Sequence, residues 1–347
     1  MLELNCCHNI DALSGLKQLA SESAHCGVTS PPYYGLRDYG AAGQIGLEPT
    51  PEEYISRMIE VFREFRRVLR DDGTLWINIG DSYAGSRKGG AAYPENAGNY
   101  KQGTNRGMIG QSATTHVGWG NCKPKDLIGI PWMLAFALRA DGWYLRQDII
   151  WYKPNPMPES VRDRCTKSHE YIFLFSKSPH YYFDQESILE PVSPSTHMRI
   201  SQNLAEQIGS FRANGGAKTN GPMKAVSRKT KQGEIGIVKN NASWDTSCCL
   251  TVERRNKRSV WTVTTQPFKE AHFATFPPEL IKPCIQAGCP EGGTVVDMFM
   301  GSGTTLVTAN ELNRNCIGFD VNLVYCDMAN RRRADAMAQQ SLFRKLV

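Results

Sequence analysis

The chain has 347 residues, 41% of them hydrophobic and 21% charged, with a formal net charge of +6. Such a chain can bury one large core or two modest ones, and its composition is that of a globular protein rather than a disordered or fibrous one. No run approaches the roughly 18 apolar residues of a membrane span, and Met1-Leu2-Glu3-Leu4-Asn5 has neither a basic n-region nor an apolar h-region, so the chain is expected in the cytoplasm with no membrane partner.

Leu4 to Leu19 reads as the end of a short strand running into a helix, with Asp11 near the turn. Ala24 to Thr29 reads as a second strand, and Ser30-Pro31-Pro32-Tyr33-Tyr34 ends it, because two prolines forbid further ladder pairing. Ser30 and the Pro31 carbonyl are thereby thrust out at a strand's carboxyl end, where open α/β sheets bind ligands. Without two N–H groups the turn offers acceptors and almost no donors, which suits gripping an NH2 group. Tyr33 and Tyr34 add aromatic faces for a flat heterocycle. Taken alone, the motif reads more readily as a proline-stiffened turn with two packing tyrosines; its context reverses that.

A glycine-bounded polar loop, Gly35 to Gly40, follows. Thr50-Pro51-Glu52-Glu53 is a capping box with proline at the first helical position. Ile55, Met58, Ile59, Phe62, Phe65 and Leu69 then line one helical face, Arg66, Arg67 and Arg70 crowd its C-terminal end, and Asp71-Asp72-Gly73 is expected to stop it before a strand over 74–79. Asp81 ends that strand, as an active-site group or as a loop cap. From Ala84 to Asn121 the sequence turns to Gly, Ser, Asn, Arg and Lys without periodicity, and reads as a mobile flap beside the turn. A helix over 131–140 and strands over 145–151 and 171–176 follow, joined by the rigid Lys153-Pro154-Asn155-Pro156-Met157-Pro158. Trp151 and Lys153 suit either packing or contact with a base or phosphate.

From Glu186 to Arg258 there are 12 Lys/Arg against 6 Asp/Glu, ending in Arg254-Arg255-Asn256-Lys257-Arg258, and such a segment can neutralise several phosphates. His272 to Pro278 leads into a helix ending at Gly288. A βαβ unit closes the chain: strand 294–298, a Gly301-Ser302-Gly303 turn, helix 304–312, strand 316–320 ending in Asp320, and a last helix. The 11 cysteines form no CxxC pair, which suits reduced thiols packed as small hydrophobes, and no metal site is expected.

In this order, Ser30-Pro31-Pro32-Tyr33 and Phe299-Met300-Gly301-Ser302-Gly303 resemble the amino-group DNA methyltransferases of the permuted β class. There a Pro-Pro-Tyr catalytic motif precedes a Phe-x-Gly-x-Gly cofactor motif. The resemblance covers nearly the whole chain and is weakest from 185 to 258. It implies a Rossmann-like α/β methyltransferase fold with a mostly parallel, doubly wound, circularly permuted sheet. Residues 1–184 would form the catalytic half, 185–258 an inserted target-recognition and DNA-binding region, and 259–347 the S-adenosylmethionine-binding half.

The implied activity is transfer of a methyl group from S-adenosylmethionine to an exocyclic amine of a base flipped out of double-stranded DNA. That amine is a poor nucleophile because its lone pair is delocalised into the ring. Ser30 Oγ and the Pro31 carbonyl have the character to hold its two N–H bonds, so that a methyl donor placed in line reacts by direct displacement. No Pro-Cys nucleophile of the kind cytosine-C5 enzymes use is present. In the family, serine before Pro-Pro-Tyr marks N4-cytosine enzymes more often than N6-adenine ones. Cytosine N4 is therefore favoured, adenine N6 is the alternative, and a catalytically inactive DNA-binding relative is a reading of another class.

Gly301-Ser302-Gly303 is half of a GxGxxG, since Leu306 takes the third glycine position, and no lysine follows to make a P-loop. The Thr304-Thr305 helix start offers N–H groups to a carboxylate, and Asp320 is placed to accept from ribose hydroxyls. The resemblance adds Thr29, Asp297, Phe299 and Ser302 to the cofactor site, Asp11 for the adenine amine, and His272-Phe273-Ala274-Thr275-Phe276 as a closing segment. Met298 stands where the family usually has proline, and Ile10 where it usually has glycine. Lys153, Arg254, Arg255, Lys257 and Arg258 are expected at DNA. A homodimer and a cognate restriction endonuclease are the further partners the resemblance brings, although no dimer seam is legible.

Overall fold

The computed structural model describes residues 2–35, 43–84, 119–193, 254–265 and 276–346. Most of the predicted flap, of the Gly35–Gly40 loop and of the basic segment, together with His272 to Thr275, lies outside the described residues. The chain divides into two compact units, Met1–Ile188 with Arg258–Val347, and Leu189–Lys257.

The larger unit is built on one eight-stranded sheet among the described residues. Its elements are β1 (Cys6–Asn9), α1 (Ala12–Lys17), β2 (Ala24–Thr29), α2 (Pro51–Val68), β3 (Leu69–Ile79), α3 (Ile130–Ala140), β4 (Tyr144–Tyr152) and β5 (His169–Ser176). Two-residue β6 (Glu190–Pro191) and β7 (Arg254–Arg255) pair antiparallel in the smaller unit. The larger unit then resumes with β8 (Val260–Thr262), α4 (Pro278–Gly288), β9 (Thr294–Asp297), α5 (Thr304–Glu311), β10 (Asn315–Asp320) and α6 (Leu323–Leu346). The strand order is β1-β10-β9-β2-β3-β5-β4-β8. All neighbouring pairs are parallel except those of β5, which runs against both β3 and β4.

Side-chain alternation divides the core by sheet face. Leu75, Ile77, Phe173, Phe175, Val296, Ile317 and Phe319 are buried with residues of α1, α2 and α3. Trp76, Ile172, Leu174, Val295 and Cys316 are buried on the other face with Leu280, Ile281 and Ile285 of α4, Leu306 of α5 and Ala329 of α6. Burial on both faces explains why these strands read as continuous apolar runs rather than alternating ones. Helix α2 begins as its capping box requires: the Thr50 hydroxyl accepts the Glu53 N–H at 3.2 Å, with Pro51 at the first helical position. Its Tyr54, Met58, Phe62 and Phe65 are fully buried, worth about 1.5–3 kcal/mol each in apolar burial.

The structure departs from the sequence expectation in three places. Helix α2 ends at Val68, and β3 runs straight on from Leu69 through Asp71, Asp72 and Gly73, because Leu69 already pairs with Ala24 of β2. Strand β1 lies beside β10, so the first residues of the chain join its last strands at one end of the sheet. Strand β8 lies beyond β4 at the other end. Spatial halves are therefore not sequence halves.

Candidate active site

Strands β9 and β2 are neighbours, yet the chain leaves β9 outward to β10 and leaves β2 outward to β3. Connections that diverge in this way open a crevice at the carboxyl ends of the two strands, the usual ligand position in such sheets. Both sequence motifs sit at that crevice: Ser30 follows the last residue of β2, and Met298 follows the last residue of β9.

Asp297 ties the two motifs together. Its Oδ1 accepts the Thr29 hydroxyl at 2.6 Å and the Phe299 N–H at 3.0 Å, and its Oδ2 accepts the Thr305 hydroxyl at 2.7 Å. The carboxylate is 1% exposed, and burial pushes its pKa up to about 6 against the opposing pull of the Thr29, Thr305 and Phe299 donors. Thr29, Ser302, Thr304 and Thr305 are buried with it. These predicted cofactor residues therefore brace the crevice from beneath. Asp11, Ser30, Phe299, Gly301 and Asp320 keep exposed or half-exposed surface.

On the β9 side, Gly303 takes φ +82°, and a side-chain carbon there would lie 2.6 Å from Ala329 Cβ, so the turn requires glycine both for its backbone and for helix packing. No side chain caps the α5 N-terminus that follows, which leaves the first-turn N–H groups available to an anion. Asp320 accepts the Gly301 N–H at 2.9 Å through Oδ2 and the Asn322 N–H at 2.8 Å through Oδ1, and burial raises its pKa. Each oxygen retains a second acceptor site. Asn9 of β1 registers with Asp320, which puts Asp11 at the same sheet edge; Asp11 caps α1 by accepting the Ser14 N–H at 2.9 Å. Phe276, expected to close over a cofactor, is 9% exposed and belongs to the core with Leu280 and Trp151.

On the β2 side the acceptors of the turn are sorted by their partners. The Pro32 carbonyl accepts the buried Tyr54 hydroxyl at 2.8 Å, and the Thr29 hydroxyl is committed to Asp297. The Ser30 hydroxyl and the Pro31 carbonyl hydrogen-bond no described residue. Tyr34 is no stacking platform: it is 2% exposed, packed on Tyr54 at 5.5 Å and Trp119 at 5.9 Å between ring centroids. Tyr33 stays half-buried, and its ring packs against Gly80, where a side-chain carbon would meet Tyr33 Cε2 at 2.7 Å. Its hydroxyl donates to Glu170 Oε2 at 2.7 Å.

Glu170, Asn78 and Gly80 escape a sequence reading because nothing local marks them; each belongs to an ordinary strand, β5 or β3, or the residue just past it. Lys153, expected at DNA, pairs with Glu170 and lies 4.1 Å from the Trp151 ring centre. Trp151 is 3% exposed and donates to the Val263 carbonyl at 2.8 Å, so it packs. Asp81 caps a helix: its Oδ1 accepts the Gly129 and Ile130 N–H groups at 3.0 and 3.1 Å, at the start of α3. In the smaller unit, Glu190 pairs with Lys257 at 3.0 Å and with Arg255 at 3.7 Å. Arg254 and Arg258 are exposed.

A parallel sheet with one reversed strand, a ligand crevice between divergent strands and a donor-poor turn at its lip define a Rossmann-like α/β enzyme that handles a planar amine. The chain belongs to the N6/N4 DNA methylase family, whose match spans residues 24–331, and is an amino-group DNA methyltransferase. The Type II methyltransferase M.SmaI of Serratia marcescens is 42% identical over 323 residues, 93% of this chain and 88% of its own. Among solved structures, the PvuII DNA methyltransferase, described as cytosine-N4-specific, shares the fold with a TM-score of 0.55 at 14% identity, covering 95% of this chain and 92% of its own. A DNA modification methylase of Thermus thermophilus, solved with S-adenosyl-L-methionine, does so with a TM-score of 0.53 at 19% identity, covering 95% and 93%. No helix of the described residues is long and apolar enough to cross a membrane.

Proposed function

We propose that the protein transfers a methyl group from S-adenosylmethionine to the exocyclic amine of a base flipped out of double-stranded DNA, with N4 of cytosine preferred. The observation that carries this reading is the sorting of acceptors in the Ser30–Tyr33 turn. The neighbouring Pro32 carbonyl already accepts from Tyr54 and the Thr29 hydroxyl gives its proton to Asp297, whereas Ser30 Oγ and the Pro31 carbonyl, adjacent along the chain, have no partner among the described residues. Two adjacent acceptors match the two N–H bonds of an amine. Holding both keeps the lone pair out of the ring plane and turned towards the electrophile, while Pro31 and Pro32 bring no N–H that would bind that lone pair.

The donor set on the other side of the crevice fits S-adenosylmethionine, which supplies an electrophilic methyl group when bound. The uncapped start of α5 suits its carboxylate, Asp320 its ribose hydroxyls and Asp11 its adenine amine. Phe299 and Gly301 line the path between, and Thr29, Asp297, Ser302, Gly303, Thr304 and Thr305 hold that surface in place. Pro31 and Pro32 stiffen the turn, and the Tyr33 ring is the stacking face for the flipped base. Serine at position 30 is the basis for preferring cytosine.

The region 185–258 serves target recognition, with Arg254 and Arg258 at phosphates and Arg255 and Lys257 partly neutralised by Glu190. A cognate restriction endonuclease fits the Type II relatives, and a homodimer is carried only by the resemblance. Mass spectrometry of nucleosides from plasmid DNA incubated with protein and S-adenosylmethionine tests the reading. N4-methylcytosine is expected; N6-methyladenine would show that Ser30 does not choose the base. Ser30→Ala should lower turnover while S-adenosylmethionine binding, measured by calorimetry, stays unchanged. Asp320→Ala should weaken that binding.

A further inference from the structure

Four polar side chains, Asn78 of β3, Glu170 of β5, Lys153 just past β4 and Tyr33 of the turn, meet at the carboxyl edge of the sheet, and none of them is a ligand-binding group in the function proposed above except Tyr33. Glu170 is their centre. It reaches the carboxyl edge of the sheet only because β5 runs antiparallel, so that the start of β5 lies where its neighbours end; Tyr171 pairs with Ile79, the last residue of β3. Glu170 Oε2 accepts the Tyr33 hydroxyl at 2.7 Å and the Asn78 amide at 3.3 Å. Asn78 is itself fixed by donating to the Tyr171 carbonyl at 3.2 Å. Glu170 Oε1 accepts from Lys153, whose ammonium is held over Trp151. The Glu170 and Lys153 side chains are only 16% and 18% exposed.

We infer that Glu170 is a positioning residue for methyl transfer: it fixes the Tyr33 ring in the orientation that receives the flipped base. The inference rests on the reading of Tyr33 as the stacking face. A tyrosine ring on a turn swings about two side-chain bonds, and a stacking face must be held to a fraction of an ångström to place a base against Ser30 and Pro31. Gly80 sets the depth of the ring by letting it lie on the backbone. The short hydrogen bond at the far end, to a carboxylate clamped by Asn78 and Lys153 and seconded by a longer contact to Asn78 Oδ1 at 3.5 Å, removes the remaining rotation. Lys153 pairs with this carboxylate on its other oxygen, and a hydrogen bond to a carboxylate is stronger than one to a neutral acceptor. On this account Lys153 serves the ring through Glu170, and the phosphate contacts lie elsewhere.

A double-mutant cycle tests this on the full-length protein, with plasmid DNA and methyl-labelled S-adenosylmethionine. Tyr33→Phe removes only the hydroxyl and leaves the Glu170–Lys153 pair intact. We expect Tyr33→Phe and Glu170→Gln each to lower kcat about tenfold, with KM for S-adenosylmethionine unchanged. The double variant should be no worse than the poorer single one, because both act on the same bond, Tyr33→Phe removing it and Glu170→Gln taking away its charge. Losses that multiply to about a hundredfold would overturn the inference. So would wild-type kcat for Tyr33→Phe, an outcome that does not depend on whether Glu170→Gln folds. The underlying reading fails differently: Tyr33→Ala with undiminished turnover would remove Tyr33 from the base, whereas an inactive Tyr33→Ala beside a fully active Tyr33→Phe would remove Glu170 alone.

Discussion

The Thr29 hydroxyl donates to Asp297 across 2.6 Å, although the two residues stand 268 positions apart. This bond joins the ends of β2 and β9, and with them the Ser30–Tyr33 turn and the glycine turn. Through Thr305, the same carboxylate also holds the first turn of α5. The proposed catalytic and cofactor elements are thus fastened to one buried group.

Thr29→Val keeps the branched shape and removes the hydroxyl. Asp297 then loses one donor in a buried setting, which should cost about 1–3 kcal/mol of stability and loosen S-adenosylmethionine binding through the turn. Denaturant melts and calorimetric titration check both effects. A wild-type melt would show that the bond contributes nothing.

The raised pKa of Asp297 has a definite consequence for pH. A carboxyl that titrates near 6 when folded and about 3.9 when unfolded binds more protons in the native state. Its contribution to stability is therefore greatest below about pH 4, declines as pH rises towards 6 and is flat above that, a swing of about 3 kcal/mol. Asp297→Asn lacks this titration. Melts at several pH values should show the wild type losing stability relative to the variant as pH rises through that window; parallel curves would mean that Asp297 is as easily ionised folded as unfolded.

Asp81 stands close to the crevice but is committed to the start of α3. Asp81→Ala should cost about 1–2 kcal/mol, as losing a helix cap does, and leave kcat of the folded enzyme within about twofold. Asp81→Asn, which keeps the capping oxygen, should be nearly as stable as the wild type. A collapse of turnover without loss of stability would assign Asp81 to the chemistry instead.

The basic residues at the end of the proposed recognition region are not equivalent. Arg254 and Arg258 are exposed, whereas Lys257 and Arg255 share Glu190. Replacing Arg254 or Arg258 by alanine should flatten the salt dependence of duplex binding by about 0.9 for each phosphate that is no longer neutralised, and Arg255→Ala or Lys257→Ala should flatten it less. Fluorescence anisotropy across a salt series measures the slopes. Equal slopes for all four variants would contradict the role given to Glu190.

Much of this protein is legible in its sequence, because the signals concerned are local. The Thr50–Glu53 capping box, the apolar face of α2, the two prolines that end β2 and the glycine turn after β9 each depend on a few adjacent residues, and each is found where it was expected. The family was legible for the same reason, through two short motifs and their order. Which acceptors of the turn stay open was not legible, since that depends on Tyr54 and Asp297 arriving from other elements. Nor could spacing reveal that Asp81 serves α3, that Tyr34 is buried, or that Lys153 answers to Glu170. Sheet order decided those matters: β1 beside β10, β9 beside β2, and β5 reversed so that Glu170 comes to the lip of the crevice. Strand pairing is set by the burial of both sheet faces at once, a property of the assembled core, and no local stretch of sequence carries it.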